Sequence, residues 1–416
     1  MTPLTLTFIH KKKTMKQSKQ RTRTADDVKR RLIRKIVVFV SLALVFMFLC
    51  ILRGNEQIAE AFTRTVSRAW VAVFGTLFSW IPCSIYELFL IVAILAAICA
   101  VVFIIVALCK KKFVRVFSLL LSVGIFAFAF LSVYTTSASL AYDRAPLPKA
   151  VYSRQNPESF TREQAIDMAA NIVKATNEAY RATEHDENGN IVLPSIAEIR
   201  ADLAEEYKRL DEPLYEGYFS SYVPAVKKIV NSRIMSEMHI VGVFFAPTGE
   251  ANINGVEQNF NLPHTMAHEM AHGKGVMREN EANLVASYLL LTSSKPYLRY
   301  SALMKVLNSA ISLVGMYPDT NDTVKLLSAS IDRGILAERS NYNKLWSQFT
   351  LVGDIGDWFN DLYLKFNKQT GSDSYYKPGQ SEDTDQKDND GEIIKIIVSF
   401  SDTQDLLVML YNRGVL

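Results

Sequence analysis

Residues 263–283 read PHTMAHEMAHGKGVMRENEAN, and this stretch decides how the C-terminal part of the chain is built. Three of the six histidines in the chain, His264, His268 and His272, fall within it. Pro263 suits the first turn of a helix, and no helix breaker follows for two turns. The stretch therefore predicts a helix that carries His268 and His272 one turn apart on the same face.

A helix with this spacing predicts a zinc site. The imidazoles of His268 and His272 can converge on a single Zn²⁺ ion. A zinc ion lowers the pKa of a bound water molecule to about 7, and Glu269, next to the first ligand, can act as the general base on that water. A catalytic zinc also needs a third protein ligand and one open position.

Glu279 is the predicted third ligand. Gly273 and Gly275 allow the chain to end the first helix and reverse, so that a second helix starting at Glu279 can pack against it. Asn283 lies one turn further and can hydrogen-bond the outer nitrogen of a ligating histidine, which fixes its tautomer. Glu281 points about 200° away on such a helix, so it is a weaker candidate.

His264 is a further candidate ligand, because it extends the histidine face by one more turn. Three histidines along one straight helix rarely coordinate one ion together, so Glu279 is preferred to His264 as the third ligand. Residues 141–416 contain no cysteine, so a metal site there must use histidine and carboxylate ligands.

The N-terminal part is apolar over residues 36–140, whereas the rest has an ordinary globular composition. Three nearly uncharged runs, at about 36–52, 88–109 and 116–134, are each long enough to cross a bilayer. A cleaved signal peptide explains the first run poorly, because no clear small-residue cleavage site follows it. We therefore predict a membrane domain with three transmembrane helices in contact with the lipid bilayer.

Basic residues set the expected orientation. Residues 1–35 contain twelve Lys or Arg and two acids, and the loop at 110–115 is also basic. Both are expected in the cytoplasm, which places residues 141–416 outside it. A basic tail can bind nucleic acid, but this one directly precedes an apolar run, so no nucleic-acid partner is predicted.

Residues 58–80 are semi-apolar at helical spacing and predict a helix that lies in the outer membrane interface. The alternative is a fourth, imperfect span. That alternative would reverse the side on which the C-terminal part lies.

The C-terminal part is predicted to be an α+β domain dominated by helices. Thr161 with Gln164 and Ser195 with Glu198 have the spacing of capping boxes that open two helices.

Short strands and an acidic insertion complete this domain. Residues 239–246 predict a strand, 247–249 a turn and 251–254 a returning strand. Residues 381–392 carry six acids and no apolar residue, and predict an exposed or disordered insertion. A last helix or strand–helix unit follows at 393–412.

The order of these motifs resembles two known patterns. Glu-x-x-x-Asn after a His-Glu-x-x-His helix resembles the gluzincins, in which the Glu is the third zinc ligand. The layout of nearly the full chain resembles the DUF3810 family of bacterial membrane proteins. It departs from the family at Cys83, where an aromatic residue is expected, and in the 381–392 insertion. The matching residues are Ile81-Pro82-Cys83-Ser84, Ala246-Pro247-Thr248-Gly249-Glu250, Leu262-Pro263, His268-Glu269-Met270-Ala271-His272, Gly275, Glu279-Asn280-Glu281-Ala282-Asn283, Tyr363-Leu364-Lys365 and Ser374-Tyr375.

The resemblance implies a zincin-like domain in the bacterial cell membrane. In zincins, the strand before the active helix offers its edge to an extended peptide, and residues 244–254 would supply it here. The alternative is that these residues form an ordinary buried hairpin. A donor near the developing oxyanion is also needed. His239, Arg278, Tyr375 and Tyr376 are candidates, and the spacing selects none of them.

Together these patterns predict a mainly α, membrane-anchored zinc metallohydrolase. By resemblance it would be a peptidase acting on a peptide or protein at the cell envelope. One alternative is a catalytically inactive zinc-binding sensor or scaffold outside the cytoplasm, and another is a binding module with an incidental histidine pair. The presence of Glu269 favours the enzyme, because a purely structural site needs no base.

Overall fold

The computed structural model describes residues 3–211, 215–257, 259–350, 353–370, 375, 378–387 and 393–416. The described part is mostly helical, with a few short strands. The chain divides into two compact units. The first unit contains Met1–Gly54 and Phe89–Thr136, and the second unit contains Asn55–Leu88 and Ser137–Leu416.

Three helices build the first unit: α1 (Pro3–Leu52), α4 (Ile85–Cys109) and α5 (Phe113–Ser137). Among the described residues, Asp26–Leu52 of α1 and the whole of α4 and α5 are long and apolar enough to cross a membrane. Very little of their apolar surface is buried within the protein. The prediction of three membrane-length apolar helices is therefore confirmed, and they fit a membrane protein.

Polar and aromatic contacts join α1 to α5 inside the first unit. Lys35 Nζ donates to the backbone oxygen and the hydroxyl of Ser118, both at 2.9 Å, and to the hydroxyl of Ser122 at 2.6 Å. Further along, the rings of Phe39 and Phe128 meet edge to face with centroids 5.3 Å apart. These contacts fix the register between the two helices.

The second unit begins with a helical segment that we call the linker helix (residues 56–79). It consists of α2 (Glu56–Phe62), one π-turn and α3 (Arg68–Ser79). The side chain of Asn55 caps its start by accepting a hydrogen bond from the Ile58 N–H at 3.0 Å.

The linker helix packs into the second unit. Val71 is buried, and Trp70 Nε1 donates to the Pro247 carbonyl at 3.2 Å. The sequence interpretation grouped this helix with the membrane domain, whereas the structure places it with the C-terminal residues. Four large apolar side chains of the linker helix are exposed, Ile58, Val66, Val73 and Leu77, and so is Trp80 directly after it.

A three-stranded sheet lies next to the site described below. Its order is β1 (Ala225–Ile229), β3 (Glu250–Asn254) and β2 (Gly242–Phe245). β1 runs parallel to β3, and β2 runs antiparallel to it and forms an edge. Gly249, with φ of +62°, makes the turn between β2 and β3. The predicted strand, turn and returning strand are confirmed, although the first strand starts at Gly242.

The core of the second unit is built around α9 (Leu262–Gly273), α10 (Glu279–Leu291) and α11 (Pro296–Val314). α9 contacts β2 and β3 on one side and α10 and α11 on others. Nearly every residue of α9 is buried. A helix in this position can hold polar side chains rigidly, away from bulk water.

The other helices surround this core. Both predicted capping boxes are confirmed at the starts of α6 and α7. The remaining helix bounds are α6 (Arg162–Arg181), α7 (Ile196–Lys208), α8 (Ser232–Glu237), α12 (Asn321–Ala329), α13 (Arg333–Trp346), α14 (Gly353–Phe366) and α15 (Asp402–Asn412).

The acidic segment contains a strand. β4 (Gln380–Lys387) pairs antiparallel with β5 (Ile393–Ser399), and α15 follows. The described residues of β4 are mostly exposed, but the segment is not without secondary structure up to Lys387. Backbone pairing with the apolar β5 strand gives β4 its conformation, although β4 lacks apolar residues of its own. Residues 388–392 lie outside the described part.

Candidate metal centre

His268 and His272 lie one turn apart on α9, as the sequence predicts. Their Nε2 atoms are 3.1 Å apart, and their rings are nearly perpendicular. Pro263 occupies the first turn of the helix, where a missing N–H costs nothing. The helix ends at Gly273, so His272 sits in its last turn.

Glu279 is the first residue of α10 and reaches the same point. Its Oε2 lies 3.1 Å from His268 Nε2 and 3.5 Å from His272 Nε2. Gly275, with φ of +94°, helps the chain to reverse between the two helices. Within the described residues, these three form the one group of three or more side chains that could share a metal ion.

The outer nitrogens of both histidines face acceptors. His272 Nδ1 lies 2.7 Å from the Val276 carbonyl, which can only accept, so this nitrogen carries the proton. His268 Nδ1 lies 2.9 Å from Asn283 Oδ1. Asn283 donates its Nδ2 to the Tyr375 carbonyl at 3.2 Å, which fixes the amide with its oxygen towards His268. Both Nδ1 atoms are therefore donors.

When both rings are neutral, two Nε2 lone pairs and one carboxylate oxygen therefore point at one another. Three acceptors at this spacing repel unless a cation lies between them. The distances between them, 3.1, 3.1 and 3.5 Å, match the edge of about 3.3 Å for a tetrahedron with zinc–ligand bonds of about 2.05 Å. The side chains of His268, His272 and Glu279 thus fit a zinc ion.

The electrostatics of the group agree with this reading. Burial opposes charge on His272, but the nearby Glu279 carboxylate outweighs it and raises the pKa of His272 to about 9. Burial likewise opposes charge on Glu279, yet the two histidines lower its pKa to about 2. The protein side chains alone therefore favour a positive charge at this point.

Glu269 lies next to the group on α9 and is buried. Burial is the main cause that raises its pKa. The backbone N–H of Phe244 donates to the carboxylate, while Oε2 is buried with no hydrogen-bond partner among the described residues. Such an orphaned carboxylate oxygen can accept a proton from a water molecule.

The edge strand β2 borders both α9 and Glu269. A Cβ atom at Gly242 would overlap the Glu269 carboxylate, so only glycine leaves room for it. The ring of Phe244 lies 6.2 Å from that of His272. The strand therefore brings a backbone donor and an edge of the sheet next to the candidate metal centre.

Two other candidates on the same helices are engaged elsewhere. His264 is buried, and its Nε2 lies 3.0 Å from the Ser287 hydroxyl, so it is not part of the convergent group. Burial lowers its pKa well below the usual value. Glu281 pairs with Arg278 at 2.6 Å instead of facing the histidines.

The side chains proposed as oxyanion donors form hydrogen bonds with groups other than the proposed ligands. Arg278 Nε donates to the Tyr142 carbonyl at 2.9 Å. His239 is exposed, and its Nε2 lies 2.8 Å from the Phe349 carbonyl. The hydroxyl of Tyr375 donates to Asn360 Oδ1 at 3.3 Å, and this residue meets the site through its backbone oxygen. Tyr376 lies outside the described residues.

The sequence did not predict three groups that support the site: the Val276 carbonyl, the Phe244 N–H and Gly242, which leaves space for the Glu269 carboxylate. Two of them are backbone atoms, which carry no residue-type signal. A glycine in a strand does signal a close approach of another group, so Gly242 was the one that could have been found.

The chain thus has the features of a membrane protein whose second unit carries a buried His-His-Glu candidate metal centre beside the edge of a sheet. The chain belongs to the DUF3810 family, described as "Protein of unknown function (DUF3810)", which matches residues 62–378. That range includes the end of α2, the sheet and both site helices. No curated protein and no solved structure matches the chain.

Proposed function

We propose that this chain is a membrane-anchored zinc-dependent metallohydrolase that cleaves amide bonds. His268, His272 and Glu279 are the proposed ligands of one Zn²⁺ ion, and Glu269 is the proposed general base. The observation that carries the proposal is the convergence of three ligand atoms beside a buried carboxylate oxygen that has no hydrogen-bond partner in the described part of the chain.

The ligand chemistry supports zinc in particular. Two neutral imidazoles and one carboxylate are a frequent set for a catalytic zinc, with a fourth position left open. A bound zinc ion supplies Lewis-acid activation of water and of a substrate carbonyl.

Glu269 supplies the proton transfer in this proposal. Its Oε2 can take a proton from the attacking water and later deliver it to the leaving amine. The Phe244 N–H and Gly242 hold the carboxylate at the edge of the sheet, so it does not need to move far between these steps.

The edge of β2 supports a peptide substrate. An extended peptide can add to such an edge through backbone hydrogen bonds, which places its amide groups in a line along the strand. Because β2 contacts α9, a peptide docked there would pass beside the three proposed ligands. The gluzincin-like order of the ligands favours the same substrate class.

The charge pattern supports an extracytoplasmic location for the second unit. Basic residues flank α1 on its N-terminal side and fill the loop between α4 and α5. The positive-inside rule then places residues 137–416 on the outer side of a bacterial cell membrane. Peptides or proteins of the cell envelope would be the substrates.

One observation favours a second function, a zinc-binding sensor or scaffold without catalysis. The side chains of His268, His272 and Glu279 are only 12%, 6% and 7% exposed. A closed structural site has this property. The edge position of β2 and the Glu269 Oε2 atom, which has no hydrogen-bond partner among the described residues, argue for the enzyme instead.

The test is Glu269→Gln in the full-length protein, purified in detergent. We expect this variant to keep zinc but to lose hydrolysis of a quenched fluorescent peptide library by about 100-fold or more, because the base is removed and the ligands stay. His268→Ala is the matched control and should lose both zinc and hydrolysis.

Equal peptide hydrolysis by wild type and Glu269→Gln would exclude Glu269 as the base. Zinc in both proteins with no hydrolysis by wild type would favour the sensor or scaffold.

A further inference from the structure

Arg144 lies just after α5, and its charged side chain is fully buried. Its Nε and Nη2 donate to the two carboxylate oxygens of Glu60 at 2.7 and 2.8 Å. Its guanidinium group lies 3.6 Å above the ring of Tyr218. Arg144 and Glu60 therefore form a bidentate ion pair between the linker helix and the segment after α5.

The same guanidinium group holds the loop between the two site helices. Arg144 Nη1 donates to the Gly275 carbonyl at 2.8 Å. The next residue is Val276, whose carbonyl accepts from His272 Nδ1 at 2.7 Å. The Gly275 carbonyl, which Arg144 holds, and the Val276 carbonyl, which sets the tautomer of His272, therefore belong to consecutive peptide units.

The other end of this loop is held by the same segment. Arg278 Nε donates to the Tyr142 carbonyl at 2.9 Å, and Arg278 Nη2 donates to the Arg144 carbonyl. Arg278 immediately precedes Glu279, the proposed third ligand. Residues 142–144 therefore fasten both ends of the loop that connects the His272 support to Glu279.

We propose that Arg144 and Glu60 are positioning residues of the metal centre, which set its zinc affinity through the 275–278 loop. This inference rests on the proposed zinc site. Neither residue touches the ligand atoms, so their action passes through Gly275 and the peptide that carries the Val276 carbonyl.

Charge explains why Glu60 is needed for this. Burial opposes its ionisation, but Arg144 and then Arg64 outweigh burial and lower the pKa of Glu60 to about 2. The Glu60 carboxylate therefore stays ionised, and the ion pair persists, far below neutral pH. Without the Glu60 charge, Arg144 would remain buried and uncompensated, and it would be driven to leave Gly275.

The test compares Glu60→Gln with Glu250→Gln in full-length protein in detergent. Glu250 is a matched control, because it is buried and pairs with Lys227 at 2.7 Å in the same unit, but among the described residues it forms no hydrogen bond or ion pair with the 275–278 loop. Zinc affinity is measured by competition with a chelator. The visible spectrum of the Co²⁺-substituted protein and the melting temperature are measured on the same samples.

We expect Glu60→Gln to weaken zinc binding by about tenfold or more and to change the Co²⁺ spectrum. Glu250→Gln should lower the melting temperature but leave affinity and spectrum as in wild type. If Glu60→Gln does not fold, Glu60→Asp and Arg144→Lys keep the charges but lose the bidentate geometry, and they should weaken zinc binding in the same way.

Wild-type affinity and spectrum in the folded Glu60 and Arg144 variants would overturn the inference and leave the proposed function intact. An equal loss of affinity in Glu250→Gln would also overturn it, because the effect would then be one of general stability. Absence of zinc from wild type would overturn the proposed function and this inference together.

Discussion

At the scale of single residues, the candidate metal centre depends on which ring nitrogens of His268 and His272 carry protons. The Val276 carbonyl and Asn283 Oδ1 require a proton on each Nδ1, so neither Nε2 carries one when the rings are neutral. Glu279 adds a third acceptor at 3.1 Å from His268. Hydrogen bonding by the outer nitrogens therefore prepares the inner ones for a cation.

Asn283 should be the side chain outside the ligand set whose loss most directly weakens the metal centre. We expect Asn283→Ala to lower zinc affinity by about 10- to 100-fold, because His268 loses the acceptor that fixes its tautomer. Asn283→Asp is the matched control and should retain most of the affinity, since a carboxylate also accepts from Nδ1. Chelator competition measures both, and equal affinities in Ala and Asp variants would contradict the tautomer argument.

The sequence predicted the three proposed ligands, the base and Asn283, because these depend on residue type and helical spacing. It could not select among His239, Arg278 and Tyr375, and the structure engages all three elsewhere. The groups it missed are mainly backbone atoms. A backbone donor such as the Phe244 N–H depends on tertiary packing and leaves no mark on residue type.

At the scale of elements, the reversal from α9 to α10 was predictable and the partner of the linker helix was not. Gly273 and Gly275 signal the reversal directly, and capping boxes signal the starts of α6 and α7. The α3 part of the linker helix carries apolar residues on both its buried and its exposed face. Periodicity shows that such a helix exists, but lipid and protein interiors select the same residues, so the pattern cannot tell which of them covers each face.

Two tryptophans, Trp70 in the linker helix and Trp80 directly after it, differ in burial. We expect Trp70→Ala to lower the free energy of unfolding of the second unit by about 2 kcal/mol or more, because its ring packs and its Nε1 bonds the Pro247 carbonyl. Trp80→Ala is the control, since Trp80 is 76% exposed, and it should change stability by less than about 0.5 kcal/mol.

Thermal unfolding in detergent micelles measures the difference between these variants. The same small effect in both would show that the linker helix does not pack on the second unit in solution.

At the scale of the whole molecule, the chain joins membrane-length helices to a unit that carries the candidate metal centre. The linker helix belongs to that unit although two membrane-length helices flank it in sequence. A fragment starting near residue 141 would lack Glu60 and the rest of the linker helix. The full chain is therefore the proper object for metal and activity measurements.

The proposed topology, in which α1, α4 and α5 each span the membrane, puts residues 1–35 and 137–416 on opposite sides of it. We expect alkaline phosphatase fused after Leu416 to be active and the same reporter fused after Lys111 to be inactive, because this enzyme folds only where its disulfides form. Cell-based colour assays measure both fusions. Activity of the Lys111 fusion with an inactive Leu416 fusion would reverse the proposed topology and place the site in the cytoplasm.

The central claim is that His268, His272 and Glu279 hold one zinc ion. The most direct test is the zinc content of full-length protein purified in detergent without added metal, measured by plasma mass spectrometry for wild type, His272→Ala and His264→Ala. We predict about one zinc per chain in wild type and His264→Ala, and less than about a tenth of that in His272→Ala. Wild type without zinc, or His272→Ala with as much zinc as wild type, would contradict the claim.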